Sequence, residues 1–389
     1  MQNEKNIIRL FGGLTFVSSL IVYLITIAPT VSFWDCGEFI TCSYILGIPH
    51  PPGAPFYLLV GRIFTLLPIA GNIALRVNII SALSSALTVM LTFLIIVRLI
   101  KQWRGASKSF YDTLILLASG VVGSLAFAFS DTFWFNAVEA EVYAISMLFT
   151  AAIVWCILVW LEKADQPGNE RYLLLIAYFV GLAIGVHLLM ILALPAVFMI
   201  IYFKMLDQRG ETITWKNLLY FILITVGVFA VIYPGVVQFV PRIAGSVGMW
   251  FLVVVILAVL AGVVYGIAQK RRILTLGLMG LLLVLTGYST YTMIYIRSNA
   301  DPAVDENNPE TMEKMVKYLN REQYGKWGTF PRRFPDLPAE WQFERQYPNQ
   351  DYKTFRWDKQ MDFFWNYQIK KMYFRYFGWQ FIGKGTTIG

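Results

Sequence analysis

Two carboxylates beside aromatic rings are the residues of this sequence best suited to chemistry. Asp35 and Glu38 lie three positions apart, and Phe33 and Trp34 precede them. On a helix, residues with this spacing share one face. A carboxylate that is partly shielded from water has a raised pKa and can accept a proton from a hydroxyl group. Asp35 is therefore the candidate catalytic base, with Glu38 as its support.

A helix start would explain the same two carboxylates. Ser32 with Asp35, and Asp35 with Glu38, both have the spacing of a capping box, in which side chains satisfy the first backbone N–H groups of a helix. Such caps do not require aromatic neighbours at a membrane surface. A cap and a base can coexist in one helix, so both interpretations stand.

Two histidines and two glutamates are further candidates for substrate binding. His50 and His187, the only histidines, could donate a hydrogen bond to a phosphate or a sugar hydroxyl. The alternatives are a turn residue for His50 and a buried, hydrogen-bonded histidine for His187. Glu139 and Glu141 could orient a substrate or could compensate a helix dipole. Because they are two positions apart, at most one is expected to face Asp35.

Several arginines could bind phosphate through their paired donors, and we expect them on the same side of the membrane as Asp35. The candidates are Arg62, Arg76 and Arg242, and Arg297 lies at the boundary of the same face. Each could instead extend its charged end to the lipid headgroups. Arg76 is ambiguous, because it begins a long apolar run and could point into headgroups or into the bundle.

The composition is that of a protein with many membrane-spanning helices. Of 389 residues, 57% are hydrophobic and only 14% are charged, and the mean hydropathy is +0.58. Soluble proteins contain about one quarter charged residues. The net charge of +8 is distributed in short clusters between apolar runs, so the lysines and arginines indicate topology and no nucleic-acid partner.

Apolar runs and breaker residues predict an all-α bundle of nine to ten spanning helices. Shorter amphipathic helices are expected at 34–46 and 54–67, within a polar outer loop at 30–71 that is too broken to cross lipid. The region 172–203 is long and rich in breakers, so it should form two short helices that meet near His187. The expected long helices are at about 10–28, 73–100, 113–129 and 142–161, followed by helices ending near 233, 268 and 296.

Basic clusters alternate with acidic loops along the chain and predict its orientation. Lysines and arginines gather at the N-terminus, 98–108, 163–171, 204–216 and 270–272. By the positive-inside rule these segments face the cytoplasm. The loops 30–71, 130–141 and 234–246, the break at His187 and the C-terminal tail should then face outward. We expect two domains, a transmembrane domain at 1–297 and a small extracytoplasmic segment at 298–389.

Several functional classes lack their sequence motifs. The phosphate-binding loop of nucleotide-driven pumps, the dinucleotide-binding glycine pattern and the serine-hydrolase elbow do not occur. Cys36, Cys42 and Cys156 form no C-x-x-C pair, so neither a disulfide framework nor a zinc site is expected. No metal and no cofactor are predicted. An outward-facing transferase would have no soluble nucleotide sugar to use, so a lipid-borne donor fits better.

Four stretches resemble a known family. They are WDCGEF at 34–39, GIPHPPG at 47–53, the run opening the helix at 73–100, and GLAIGVHLLMILALP at 181–195. The sequence resembles integral-membrane glycosyltransferases of the GT-C fold, which take a sugar from a polyprenyl phosphate carrier. The first two stretches, with the tail around 307–325, are similar to a bacterial branch related to eukaryotic O-mannosyltransferases of plexin-type domains. His187 replaces the lysine usual in the family pattern, and bacterial members often extend beyond this length.

This resemblance implies a GT-C-like bundle in the bacterial inner membrane. The implied reaction is an inverting transfer of a sugar, here mannose, from a polyprenyl phosphate to a hydroxyl of a translocated protein or a glycan. A first-loop acidic residue is the base in such enzymes, which corresponds to Asp35. Two alternatives remain: a transporter or flippase of a lipid-linked or anionic solute, and a non-catalytic assembly subunit.

Overall fold

Helices form the secondary structure in the computed structural model, which describes residues 2–105, 108–248, 250–325 and 340–382. No strand occurs among these residues, and their one isolated bridge pairs Ile48 with Asp305. The all-α fold class predicted from hydropathy is confirmed.

The described helices are numbered here in chain order. The first seven are α1 (Gln2–Thr26), α2 (Cys36–Ile45), α3 (Pro55–Leu66), α4 (Ile73–Arg104), α5 (Phe110–Ala128), α6 (Asp131–Ala137) and α7 (Val142–Lys163). The next eight are α8 (Glu170–Ile184), α9 (Leu194–Gln208), α10 (Trp215–Ala230), α11 (Val240–Val247), α12 (Trp250–Ala268), α13 (Arg272–Tyr288), α14 (Thr292–Ser298) and α15 (Met312–Leu319). A 3₁₀ helix, Leu188–Ala193, leads into α9, and a π-helix, Val231–Phe239, joins α10 to α11.

The chain divides into two compact units. One comprises Met1–Phe129 and Phe133–Arg321, and the other comprises Ser130–Thr132 and Glu322–Gly389. The later helices of the second unit are α16 (Glu340–Gln346), α17 (Tyr352–Asp362) and α18 (Phe374–Trp379), with the π-helix Phe363–Tyr373 before α18. The first unit extends past residue 297, so α15 packs with the membrane helices.

Seven described helical segments are long and apolar enough to cross a membrane. They are Glu4–Thr26, Ile73–Arg104, Phe110–Ala128, Val142–Lys163, Leu188–Gln208, Trp250–Ala268 and Arg272–Ser298. Two further expected spans are α8, which has 15 residues where a bilayer crossing requires roughly 20, and α10, whose 16 residues continue directly into the π-helix Val231–Phe239. The protein is an integral membrane protein, with fewer full-length spans in its described part than the sequence predicted.

Breaker residues gave one correct and one wrong prediction. The apolar region 172–203 does break near His187, because α8 ends at Ile184 and a new helix begins at Leu188. The predicted loop at 234–246 is wrong, since the chain is helical through the π-helix and α11. Pro234 lies within the π-helix and Pro241 is the second residue of α11, so neither proline ends the helical stretch.

Two glycines allow α8 and α13 to approach closely. A Cβ added at Gly181 would lie 2.4 Å from the backbone oxygen of Val284, and one at Gly287 would lie 2.4 Å from the backbone nitrogen of Leu182. Backbone atoms cannot move aside as a flexible side chain can. Because α8 leads directly to His187 and α13 leads to Tyr291, this helix contact fixes the separation of two residues that are important below.

Gly287→Ala should push α13 away from α8 and lower the melting temperature of the detergent-solubilised protein. Overpacking a close contact costs about 1–3 kcal/mol. Gly277→Ala is the matched control, because it lies on the same helix with nothing within 4 Å of its added Cβ. Scanning fluorimetry would measure both variants, and equal melting temperatures would contradict the close contact.

Candidate active site

Asp35 lies in a loop that is fixed by two asparagine side chains, Asn72 immediately before α4 and Asn78 within it. The Nδ2 of Asn78 donates to the carbonyl oxygens of Ala28 and Thr30, at 2.7 and 3.0 Å. Asn72 Nδ2 donates to Pro29 O at 3.3 Å. These bonds hold the chain between α1 and α2, so the position of Asp35 is set by the start of α4.

Asp35 immediately precedes α2, yet its side chain makes no capping hydrogen bond. The Oγ of Ser32, the other residue of the expected capping box, donates instead to Glu139 Oε2 at 2.7 Å. The capping alternative is therefore wrong for Asp35. Its carboxylate is exposed and available to a ligand.

Glu38 holds His50 through two hydrogen bonds. One carboxylate oxygen accepts from the backbone N–H of His50 at 2.6 Å, and the other lies 2.7 Å from the ring Nδ1. A carboxylate accepts only, so Nδ1 carries a proton and Nε2 is left for a ligand. This hydrogen bond to Glu38 raises the pKa of His50, against the opposing effect of burial.

Glu139 and Glu141 lie in the short connection between α6 and α7. Glu139 is 3% exposed, and its burial raises the pKa of its carboxyl group. The Glu141 side chain accepts a hydrogen bond from the N–H of Val142 at 3.3 Å and so caps α7. Glu141 therefore stabilises the helix start in addition to any role in the site. Burial, followed by the nearby charges of Asp35 and Glu139, raises the pKa of Glu141 to about 7.

His187 caps the 3₁₀ helix that precedes α9. Its Nδ1 accepts a hydrogen bond from the backbone N–H of Leu189 at 3.1 Å. The neutral ring must therefore carry its proton on Nε2 and can donate from there. Burial, together with the charge of Arg321, lowers the pKa of His187, so the ring is neutral at pH 7. Its ring centroid lies 5.2 Å from that of Tyr143.

Arg321 is a residue of this region that sequence reasoning did not single out. It follows α15, with φ at +56°, and its backbone N–H donates to Tyr318 O at 3.0 Å. The hydroxyl of Tyr318 donates in turn to Pro49 O at 2.5 Å. The tail stretch around 307–325, which resembles the bacterial family members, contains Arg321 and was the signal that could have found it.

Asp35, Glu141, both histidines and Arg321 surround one cavity of about 270 Å³. The remaining lining residues are mostly apolar or aromatic: Phe39, Pro52, Gly53, Ala54, Val142, Tyr143, Ile184, Val186, Leu188 and Tyr291. The lining thus combines two carboxyl groups that can accept a proton with an arginine and two histidines that can donate hydrogen bonds to an anion. Such a cavity can deprotonate a hydroxyl and stabilise a phosphate at the same time.

The other predicted site residues do not line this cavity. Glu38 and Glu139 are not lining residues; Glu38 hydrogen-bonds to His50, and Glu139 accepts from Ser32. Three arginines are also outside it: Arg62 donates to the carbonyl oxygen of Tyr44, Arg76 donates to Ala70 O and Thr65 O, and Arg242 is exposed on α11.

A divalent cation could be held at one edge of the cavity. One carboxylate oxygen each of Asp35 and Glu38 and a ring nitrogen of His50 lie within 4.8 Å of one another. Carboxylate and imidazole ligands together suit several divalent metals. Glu38 and His50 already bond to each other, so a cation would have to replace that contact.

Known proteins are similar to the part of the chain that carries most of this cavity. Residues 35–210 match a family model described as the protein O-mannosyl-transferase TMEM260 N-terminal domain. The protein O-mannosyl-transferase tmem260 of Dictyostelium discoideum is 26% identical over 57% of this chain and 27% of its own length. TMEM260 of Mus musculus is 28% identical over 51% of this chain and 26% of its own length. Over about half of its length, this chain is similar to the TMEM260 protein O-mannosyl-transferases.

The relationship to TMEM260 covers only part of either protein. The chain spans about a quarter of the length of these relatives. The segment matched by the TMEM260 domain contains Asp35, Glu141 and both histidines, whereas Tyr291 and Arg321 lie beyond it. No solved structure matches the chain.

Glu141→Gln should stabilise the protein at alkaline pH. A carboxyl whose pKa rises on folding adds stability below its unfolded value, 4.5, and this contribution is lost as the pH rises through about 7. The uncharged variant should therefore melt at a higher temperature than the parent at pH 8. The difference should shrink near pH 4.5.

Melting curves in detergent at the two pH values would check this expectation. Glu344→Gln, at an exposed position of α16, is the control and should change neither curve. A Glu141→Gln variant that melts like the parent at pH 8 would show that the carboxyl is not buried.

Proposed function

We propose that this chain is the membrane core of an inverting protein O-mannosyltransferase that uses a polyprenyl phosphate mannose donor. The acceptor would be a serine or threonine hydroxyl of a translocated protein. The observation that carries the proposal is the cavity in which Asp35 and Glu141 face Arg321 and His187. The relationship to protein O-mannosyl-transferases supports mannose as the sugar and protein as the acceptor.

An apolar groove beside the cavity supports a lipid-linked donor. It has a volume of about 410 Å³ and is lined by aliphatic and aromatic residues of α11, α12, α13, α14 and α15. Tyr291 lines both the groove and the polar cavity. A polyprenyl chain could lie in the groove while its phosphate and sugar occupy the cavity, which is what a donor that is part lipid and part sugar needs.

Asp35 is the base in the proposed mechanism. Its carboxylate takes the proton of the acceptor hydroxyl while the hydroxyl oxygen attacks the anomeric carbon of mannose. The bond between that carbon and the phosphate oxygen breaks on the opposite face, so the configuration inverts. A base must be accessible to the acceptor hydroxyl, and the Asp35 side chain is exposed and makes no capping bond.

Arg321 and the histidines stabilise the phosphate that leaves. The guanidinium offers several donors in a plane, and Nε2 of His187 adds a neutral donor. His50 offers its Nε2 as well, because Glu38 occupies the other ring nitrogen. The leaving polyprenyl phosphate is an anion of low basicity, so the mechanism requires no general acid. Electrostatic stabilisation by fixed donors supplies the main effect.

Glu141 orients the acceptor in this scheme. Its raised pKa of about 7 leaves a mixture of neutral and ionised carboxyl at neutral pH. The neutral form can donate to a sugar or acceptor oxygen, and the ionised form can accept from one. Glu38 supports the site through His50 and does not touch the substrate.

Charge placement supports an orientation with the site outside. The cavity residues precede α2, α3 and α7, whereas Lys101, Arg104 and Lys163 lie in the last turns of α4 and α7. By the positive-inside rule, this distribution supports a cavity on the extracytoplasmic face, and the proposed membrane is the bacterial inner membrane. This placement fits a GT-C-type bundle. A transporter or flippase would instead need ionisable groups in the helix centres, and a non-catalytic subunit would not need an assembled polar cavity.

Asp35→Asn should abolish mannosyl transfer while leaving the fold intact. The amide cannot accept the hydroxyl proton, and loss of a general base reduces the rate about 10²–10⁴-fold. Release of polyprenyl phosphate from polyprenyl phosphate mannose, measured with an acceptor peptide, reports the rate. Asp301→Asn, an exposed aspartate outside the cavity, is the control. Unchanged turnover in Asp35→Asn would refute the assignment of the base.

Arg321→Gln should slow release of polyprenyl phosphate by about 10²–10³-fold, the loss typical of removing a donor to developing negative charge. The same assay compares it with Arg242→Gln, whose arginine is exposed and lies outside the cavity. Similar rates in these two variants would mean that Arg321 does not bind the donor phosphate.

A further inference from the structure

A second cavity lies between α9 and α10, on the side of the membrane expected to be cytoplasmic. Its volume is about 470 Å³, and it shares no lining residue with the site around Asp35. The connection 209–214 closes it at one end. Its walls come from the apolar faces of the two helices, and its rim carries charged and polar side chains.

The walls form a continuous apolar stripe. On α9 the stripe consists of Phe198, Ile201, Tyr202 and Met205, which recur at intervals of three and four residues and so share a face. Ile224 of α10 extends the opposite wall. At 1.5 Å per residue the stripe on α9 is about 10 Å long, which is long enough to hold part of an acyl chain alongside the helix.

The rim carries two basic residues, Arg209 and Lys216, and one acidic residue, Glu211. Lys216 forms no ion pair among the described residues, and Arg209 forms a long ion pair in which Nη1 lies 3.8 Å from Glu211 Oε1. Lys204 of α9 differs from both, because its Nζ forms ion pairs with Asp165 Oδ2 at 3.2 Å and with Asp207 Oδ2 at 3.1 Å. The hydroxyl of Thr214 and the amide of Asn217 add polar groups to the rim.

We propose that this cavity binds a membrane phospholipid, with its phosphodiester at Arg209 and Lys216 and one acyl chain along the stripe of α9. The basic rim complements the phosphate, and the apolar walls complement the chain. Basic pockets at the cytoplasmic ends of membrane helices bind lipid head groups in this way. The site is separate from the proposed transferase centre, so the two proposals stand or fall independently.

Native mass spectrometry of the whole chain in mild detergent can test the site with dioleoyl phosphatidylglycerol as the probe. The double variant Arg209→Ala/Lys216→Ala should bind this lipid about tenfold more weakly than the parent, since it loses two charge-assisted contacts. The control is Lys5→Ala/Arg9→Ala, which removes two exposed basic residues of α1 from the same expected face. It should bind like the parent.

Two further arms separate lipid from free phosphate and from unfolding. Ile201→Ser keeps the rim but interrupts the stripe, and it should also weaken lipid binding. Inorganic phosphate at the same concentration should not displace the lipid; displacement would overturn the lipid assignment. Melting temperature and gel filtration confirm that each variant is folded. Equal lipid binding by the rim variant and the α1 control would overturn the proposal.

Discussion

The structure depends on the hydrogen bonds that the backbone carbonyl oxygens between α2 and α3 accept from a distant part of the chain. This turn is rich in proline, and proline has no N–H to offer. The donors come from the distant segment after α13: Arg297 binds the carbonyl oxygens of Leu46 and Ile45 at 2.9 and 3.1 Å, and Tyr318 binds that of Pro49. Ile48 pairs with the same segment through its N–H, which donates to Val304 O at 2.8 Å. The turn that carries His50 and the segment that carries Arg321 therefore fix each other.

The sequence predicted much of the candidate site because charge is scarce in this chain. With helices so apolar, the carboxylates and histidines outside them could be assigned to one membrane face, and four of those residues do surround the cavity. Arg321 was missed because its position follows from hydrogen bonds to backbone carbonyls, which leave no pattern in the side chains. Arg62 and Arg76 looked equally suited to phosphate. In the structure they donate to carbonyl oxygens of their own neighbourhood, at the ends of α2 and α3.

Local signals were least reliable where two partners compete for one group. Ser32 and Asp35 have the spacing of a cap, but Glu139 takes the hydroxyl of Ser32, and a buried carboxylate gains more from that bond than an exposed helix start does. Prolines near 234 and 241 predicted a loop, yet the contiguous π-helix and α11 contain both of them. Hydropathy was more dependable, because exclusion of charge from lipid acts over a whole helix and does not depend on any single contact.

The segment related to TMEM260 ends at residue 210, whereas the cavity is completed by Tyr291 and Arg321. On the proposed mechanism, proton transfer belongs to the first stretch of the chain, whereas the donor phosphate is bound jointly by the histidines of that stretch and by Arg321 of the later one. The apolar groove proposed for the polyprenyl chain is lined entirely by residues of the later stretch. Descendants of such a protein could exchange one lipid carrier for another by altering the later stretch, while the carboxylates that act on the acceptor hydroxyl remain untouched.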